Sequence, residues 1–183
     1  MKPNRFTLIA SLIFATSALA VSPPPDGGYA NQNTAEGQDA LFDLTTGDNN
    51  TALGFNALYS NTTGRWNTAV GSQALFSNAD GVYNVALGFD ALTNNTGGID
   101  NVAIGADALL LNTDGYANVA VDGSALYHNT TGWNNVGVGG GALNVNTSGQ
   151  QNCAIGDGAL GENTTGGANV ALGTATLSNN TSG

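Results

Sequence analysis

Residues 67–81 read NTAVGSQALFSNADG, residues 50–64 read NTALGFNALYSNTTG, and residues 84–98 read NVALGFDALTNNTGG. The three phrases start 17 residues apart, and the stride runs on without insertion or deletion from Asn33 to Gly183. Nine units begin at Asn33, Asn50, Asn67, Asn84, Asn101, Asn118, Asn135, Asn152 and Asn169, with the consensus N-(T/V)-A-(L/V/I)-G-x-x-A-L-x-x-N-T-x-G-x-x. A fixed short period is the signature of a solenoid, because one extra residue would move every side chain off its column. Seventeen residues are too few for a pair of helices, and glycine at two places per unit disfavours helix. The reading is an all-β, parallel β-solenoid (β-roll) of nine 17-residue coils over residues 33–183.

Each position in the unit then has an expected task. Asn101 to Gly105 alternates small or polar with branched apolar residues, which predicts a strand. The Ala-Leu pair, as at Ala74-Leu75, is expected to be a second extended piece, and Asn-Thr-x-Gly a turn. Positions two and four (Val85 and Leu87, Val102 and Ile104) are expected to fill the interior beside the leucines of position nine. Positions one, three and five are Asn, Ala and Gly, a small-residue face expected to contact further copies of the chain. The glycines of position fifteen are expected to supply positive φ. The asparagines of position one, Asn50, Asn67, Asn84, Asn101, Asn118, Asn135 and Asn152, are candidates for an amide ladder along the axis, with local turn-making as the alternative.

Ahead of the repeat, Lys2 and Arg5 precede an apolar run ending in Ala18-Leu19-Ala20, the pattern of a secretory signal peptide over residues 1–20. Residues 21–32 are a Pro/Gly-rich arm. Removing the leader leaves Arg65 as the one basic side chain against 13 acids, and the formal net charge moves from −10 to −12 (1 − 13). Such a chain is repelled by nucleic acid and anionic membranes. After the leader no stretch is long and apolar enough for membrane insertion. Cys153 is the only cysteine, so no internal disulfide staples the chain.

Departures from the repeat mark further candidates. Glu36 and Leu44 alter the first unit as a capping coil would, and Asp122 takes a glycine position, where a bulge is expected. Phe42, Tyr59 and Phe76 share position ten. Trp66 and Tyr83 share position seventeen, and Tyr116 and Trp133 share position sixteen. These last four are the candidate self-association or ligand face. His128 is expected to be solvated, and Cys153 to be a small core residue. Asp90 and Asp107 share position seven, and the weaker reading there is a calcium pair. The threonines of position thirteen, from Thr45 to Thr181, form a column that raises ice binding as a minor alternative. Asn-x-Ser/Thr sequons fall at Asn49, Asn61, Asn94, Asn129, Asn146, Asn163, Asn179 and Asn180. No nucleophile, base and stabiliser are grouped, so no enzyme, cofactor or metal site is expected.

The words NTAVG, NVALG, NVAIG and NCAIG resemble the YadA-like head repeats of trimeric autotransporter adhesins, here as a 17-residue variant. Similar repeats occur in secreted bacterial and phage tail-fibre proteins. The resemblance implies a left-handed roll, a homotrimer, and display at the bacterial surface to bind host matrix or other cells. The expectation is a secreted or cell-surface, non-enzymatic module, exported by the general secretory route, that self-associates and binds an extracellular protein or glycan. The competing expectation is a subunit stacking end to end into a filament through an open sheet edge at Gly183.

Overall fold

The computed structural model describes residues 30–183; the expected leader and residues 21–29 of the arm lie outside the described residues. The chain is a β-solenoid with one three-residue strand per coil. The strands are β1 (Thr34–Glu36), β2 (Thr51–Leu53), β3 (Thr68–Val70), β4 (Val85–Leu87), β5 (Val102–Ile104), β6 (Val119–Val121), β7 (Val136–Val138), β8 (Cys153–Ile155) and β9 (Val170–Leu172). They form a single parallel sheet in chain order. The register is the sequence period itself, as in Val85 opposite Val102 and Leu87 opposite Ile104. Ala30–Gln32 form a short 3₁₀ turn in which Asn31 has φ 64°. The Asn49 N–H donates to the Asn31 carbonyl as the Trp66 N–H does to that of Asp48, so the end of the arm already follows the coil.

The Ala-Leu pair is not extended, contrary to the sequence reading. It lies in a run of turns closed by Ala74 N–H to Gly71 O, Phe76 N–H to Gln73 O and Asn78 N–H to Leu75 O. The third residues of the first two turns, Gln73 and Leu75, have φ 58° and 53°, the left-handed geometry of a type II turn. Every leucine of position nine sits at φ 51–53°. That conformation costs a non-glycine residue about 1–2 kcal/mol. In coils two to eight full burial of the side chain, worth about 1.5–3 kcal/mol, offsets it.

The two faces of the strand are also reversed. Ala86 and Ala103, at position three, are fully buried, as are the leucines of position nine in coils two to eight. Valines and isoleucines of positions two and four are half-buried or exposed, with Ile104 38% exposed. The interior of coils two to eight therefore holds Asn, Ala, Ala, Leu, Asn and Gly from positions one, three, eight, nine, twelve and fifteen, with Gly137 in place of the first alanine in coil seven. A β-carbon placed on Gly137 at position three would lie 3.4 Å from Leu126 Cγ, which shows how closely the alanine column rests on the leucine column.

Two asparagine ladders make this polar interior possible. Asn101 Nδ2 donates to Asn84 Oδ1 (3.2 Å) and to the Gly115 carbonyl (2.8 Å). Asn101 Oδ1 accepts the backbone N–H (3.0 Å) and Nδ2 (3.1 Å) of Asn118. Both donors and both lone pairs of the amide are used, so its burial leaves nothing unpaired. A second ladder runs through position twelve, with Asn112 Nδ2 donating to Asn95 Oδ1 (2.8 Å) and also to the Gly115 carbonyl (3.1 Å). Each asparagine thus serves its neighbour coil and its own turn together. Leu44 packs against the core at the coil-one position twelve, so this ladder starts at Asn61.

Glycine at position fifteen has a different cause from the one expected. None of these glycines, from Gly47 to Gly183, lies in the left-handed region. They are there because the coils touch: a methyl on Gly115 would overlap the Asn112 side-chain oxygen and lie 2.5 Å from the Gly132 carbonyl oxygen. Among the consensus glycines positive φ belongs instead to position five, at 115–146° in Gly37, Gly54, Gly71, Gly88, Gly105, Gly139, Gly156 and Gly173.

Asp122 takes that position in coil six without a bulge, since β5, β6 and β7 pair without an inserted residue. It adopts φ 92°, and Oδ1 accepts the Gly123 N–H at 2.7 Å. Strain of this kind costs about 1–3 kcal/mol. Asp122→Gly is expected to stabilise the chain by about 1 kcal/mol net of the lost hydrogen bond, raising Tm by a few degrees in thermal unfolding. An unchanged or lower Tm would show that the aspartate is not strained.

Candidate interaction surfaces

The reversal of the strand turns a sheet face outward that is apolar and uncharged from β2 to β9. Thr51, Leu53, Thr68, Val70, Val85, Leu87, Val102, Ile104, Val119, Val121, Val136, Val138, Cys153, Ile155, Val170 and Leu172 point away from the interior. Only β1 carries a charge there, at Glu36, which therefore does not replace a core residue. Cys153 is on this face, half-buried, and not in the core. Of the Asn-Ala-Gly face expected to meet other copies, the asparagines and alanines are inside the coil, whereas the position-five glycines from Gly37 to Gly156 are half-buried.

The aromatic columns flank this face at the turns. Trp66 (43% exposed) stacks on Tyr83 (51%) with centroids 4.9 Å apart, and Tyr116 stacks on Trp133 at 5.6 Å. Such spacings follow from the separation of coils, about 4.8 Å. The two pairs are offset by one position, and Val82 and Ile99 continue the Tyr116–Trp133 column through coils three and four. Phe42, Tyr59 and Phe76 stack at 5.1 Å on another corner. Phe55 and Phe89, about half exposed at position six, were missed in the sequence because serine separates them in the coil between.

Arg65, the only basic side chain among the described residues, lies 3.9 Å from Asp48 and 5.5 Å from the centre of the Trp66 ring. Among the described residues the other acids have no Lys or Arg within salt-bridge distance. Asp90 accepts from Gln73 Nε2 at 2.9 Å. Desolvation and then the negative charge of Asp107 raise its pKa, and a hydrogen bond from Thr93 opposes them. A folded-state pKa above the unfolded value means the folded chain holds the proton more tightly, so stability falls as pH rises through that interval. Asp107→Asn is expected to lower the Asp90 midpoint in a carboxyl NMR titration and to flatten this dependence. An unmoved midpoint would remove Asp107 as a cause.

The remaining candidates are occupied by the coil itself. His128 is half-buried, with Nδ1 3.1 Å from the Asn144 carbonyl, and is not freely solvated. Threonine hydroxyls of position thirteen donate to the next coil, as Thr113 does to the Thr130 carbonyl at 3.1 Å. The sequon asparagines Asn61, Asn129, Asn146 and Asn163 are buried ladder members. Among the described residues no three His, Cys, Asp or Glu side chains converge as metal ligands would. No protein-family model, curated protein or solved structure matches the chain.

Proposed function

We propose that the chain is an exported, non-enzymatic surface or matrix module, similar to an adhesin head, that closes on copies of itself and presents its remaining outer surface to extracellular molecules. The observation that carries this reading is the uncharged apolar strand face. Nine strands span about 40 Å along the axis, and with three residues per strand the strip is about 10 Å wide, which amounts to roughly 400 Å². Each partner in a standard interface buries about 800 Å². A single contiguous patch of the strip's size is within the range that often marks a functional surface. Because the face carries no charge beyond β1, copies of this acidic chain can meet there without burying carboxylates.

Light scattering after size exclusion of the secreted protein tests this. The expected result is a closed trimer of constant mass over a wide concentration range, reduced to monomers by the paired substitutions Val102→Lys and Val119→Lys. Monomers at every concentration, or a trimer indifferent to the lysines, would contradict the reading. Rods that lengthen with concentration would favour end-to-end stacking.

A further inference from the structure

Beyond the strand face, a second surface has a different chemistry. At the turn corner of coils three to six, Val82, Ile99, Tyr116 and Trp133 share position sixteen, with Tyr83 beside them. Tyr83, Ile99 and Tyr116 are 51%, 39% and 41% exposed. This apolar ridge is bordered by Asp80 and Asp114 at position fourteen and Asp100 at position seventeen, all exposed. Between Asp80 and Asp114, Gly97 has no side chain. A β-carbon there would lie 3.2 Å from Asp80 Oδ1 and 3.4 Å from Asp114 Oδ1, so the two oxygens overhang one notch and are no more than 6.6 Å apart (3.2 + 3.4).

We infer that this ridge docks a cationic protein segment, one that lays apolar side chains along Val82, Ile99 and Tyr116 and sets a lysine or arginine into the notch at Gly97. Charge complementarity selects the occupant. A second copy of the chain would bring the same carboxylates against themselves, and like charges facing each other across a contact cost several kcal/mol. Nucleic acid and anionic lipid are repelled for the same reason. A segment carrying Lys or Arg gains the opposite: two carboxylates without a basic partner among the described residues, beside aromatic rings that accept the stem of the side chain. The strand face and the ridge thus divide the surface, the first uncharged and suited to copies, the second acidic and suited to a basic partner.

The test uses the whole secreted protein and a short synthetic peptide of alternating lysine and leucine, with counterparts carrying glutamate for lysine and serine for leucine. Binding is read from tryptophan fluorescence. The lysine–leucine peptide is expected to bind with an affinity that falls as salt rises, and both counterparts are expected to bind at least about tenfold more weakly. Asp80→Asn with Asp100→Asn and Asp114→Asn should weaken binding about tenfold, three exposed charge contacts being lost. Ile99→Ser with Tyr116→Ser should weaken it similarly. Asp157→Asn with Glu162→Gln, acids exposed on other columns, should leave it unchanged. Equal loss in that control, equal binding by all variants, or no binding at all overturns the proposal. None of these substitutions lies on the strand face, so oligomer mass stays constant whichever result is found, and the proposed self-association is judged separately.

Discussion

Gly115→Ala is expected to lower stability by roughly 3 kcal/mol, whereas Gly140→Ala leaves it unchanged or slightly raised. The two changes add the same methyl, and neither glycine has positive φ. At Gly115 the methyl has no space, because the Asn112 side-chain oxygen, the Gly132 carbonyl at 2.5 Å and Asn129 Nδ2 at 2.8 Å already surround it. These are backbone and ladder atoms, so relief requires coils five and six to part, and overpacking of this kind costs about 1–3 kcal/mol before any hydrogen bond is lost. At Gly140 the nearest atom is Asp157 Oδ1 at 3.8 Å, and φ is not left-handed. There alanine only restricts the unfolded chain. Chemical unfolding of both variants checks the difference. A Gly115→Ala chain as stable as its parent would mean that the coils do not touch at position fifteen.

Asn101→Leu is expected to cost on the order of 4 kcal/mol, although leucine is apolar and of similar size. The loss falls on the neighbour. The backbone N–H and one Nδ2 hydrogen of Asn118 lose Asn101 Oδ1, their acceptor, in a site with no access to water. Two orphaned buried donors cost about 1–3 kcal/mol each. The damage should be directional. Asn84 Oδ1 keeps the Asn101 backbone N–H at 3.1 Å, so coil four is spared more than coil six. Hydrogen exchange should therefore show larger loss of protection at Asn118 than at Asn84. Symmetric loss, or none, would contradict the ladder as the source of stability.

The architecture was legible because period alone sets it. An unbroken stride of 17 puts Val85 over Val102 whatever those residues are. The sidedness of the strand was not legible from hydrophobicity, which places Val102 and Ile104 inside and Asn101 outside. A single asparagine would belong outside, but a column of them satisfies its own amides and becomes the better interior residue. The coil is also too narrow at position three for more than alanine. A usable signal did lie in the sequence: positions one, three, eight, nine and fifteen hardly vary among the nine units, whereas position two runs through Thr, Val and Cys and position four through Glu, Leu, Val and Ile. Close contact restricts the first set and solvent relaxes the second. The two glycine columns are separated by backbone angle. A β-carbon would crowd the next coil at both, 2.5 Å from the Gly105 carbonyl oxygen at Gly88 and 2.5 Å from that of Gly132 at Gly115, but position five sits at positive φ and admits Asp122 at a shifted φ of 92°, while position fifteen lies outside the left-handed region and admits no exception. The interaction surfaces were legible only in part. Trp66, Tyr83, Tyr116 and Trp133 stand out by type, but the acids around Gly97 gain meaning only when three coils are stacked.

Methyl NMR on the protein, with nuclear Overhauser contacts measured among selectively labelled Ala, Leu, Val and Ile, tests the inverted coil most directly. Ala86, Ala103 and Ala120 should form a ladder of contacts along the axis, spaced about 4.8 Å apart, and should also touch the leucine methyls of position nine. The methyls of Val102 and Ile104 should give no contact to Leu109. Contacts from Val102 or Ile104 to Leu109, with the alanine methyls facing solvent, would put the apolar column back inside and remove the strand face as an interaction surface.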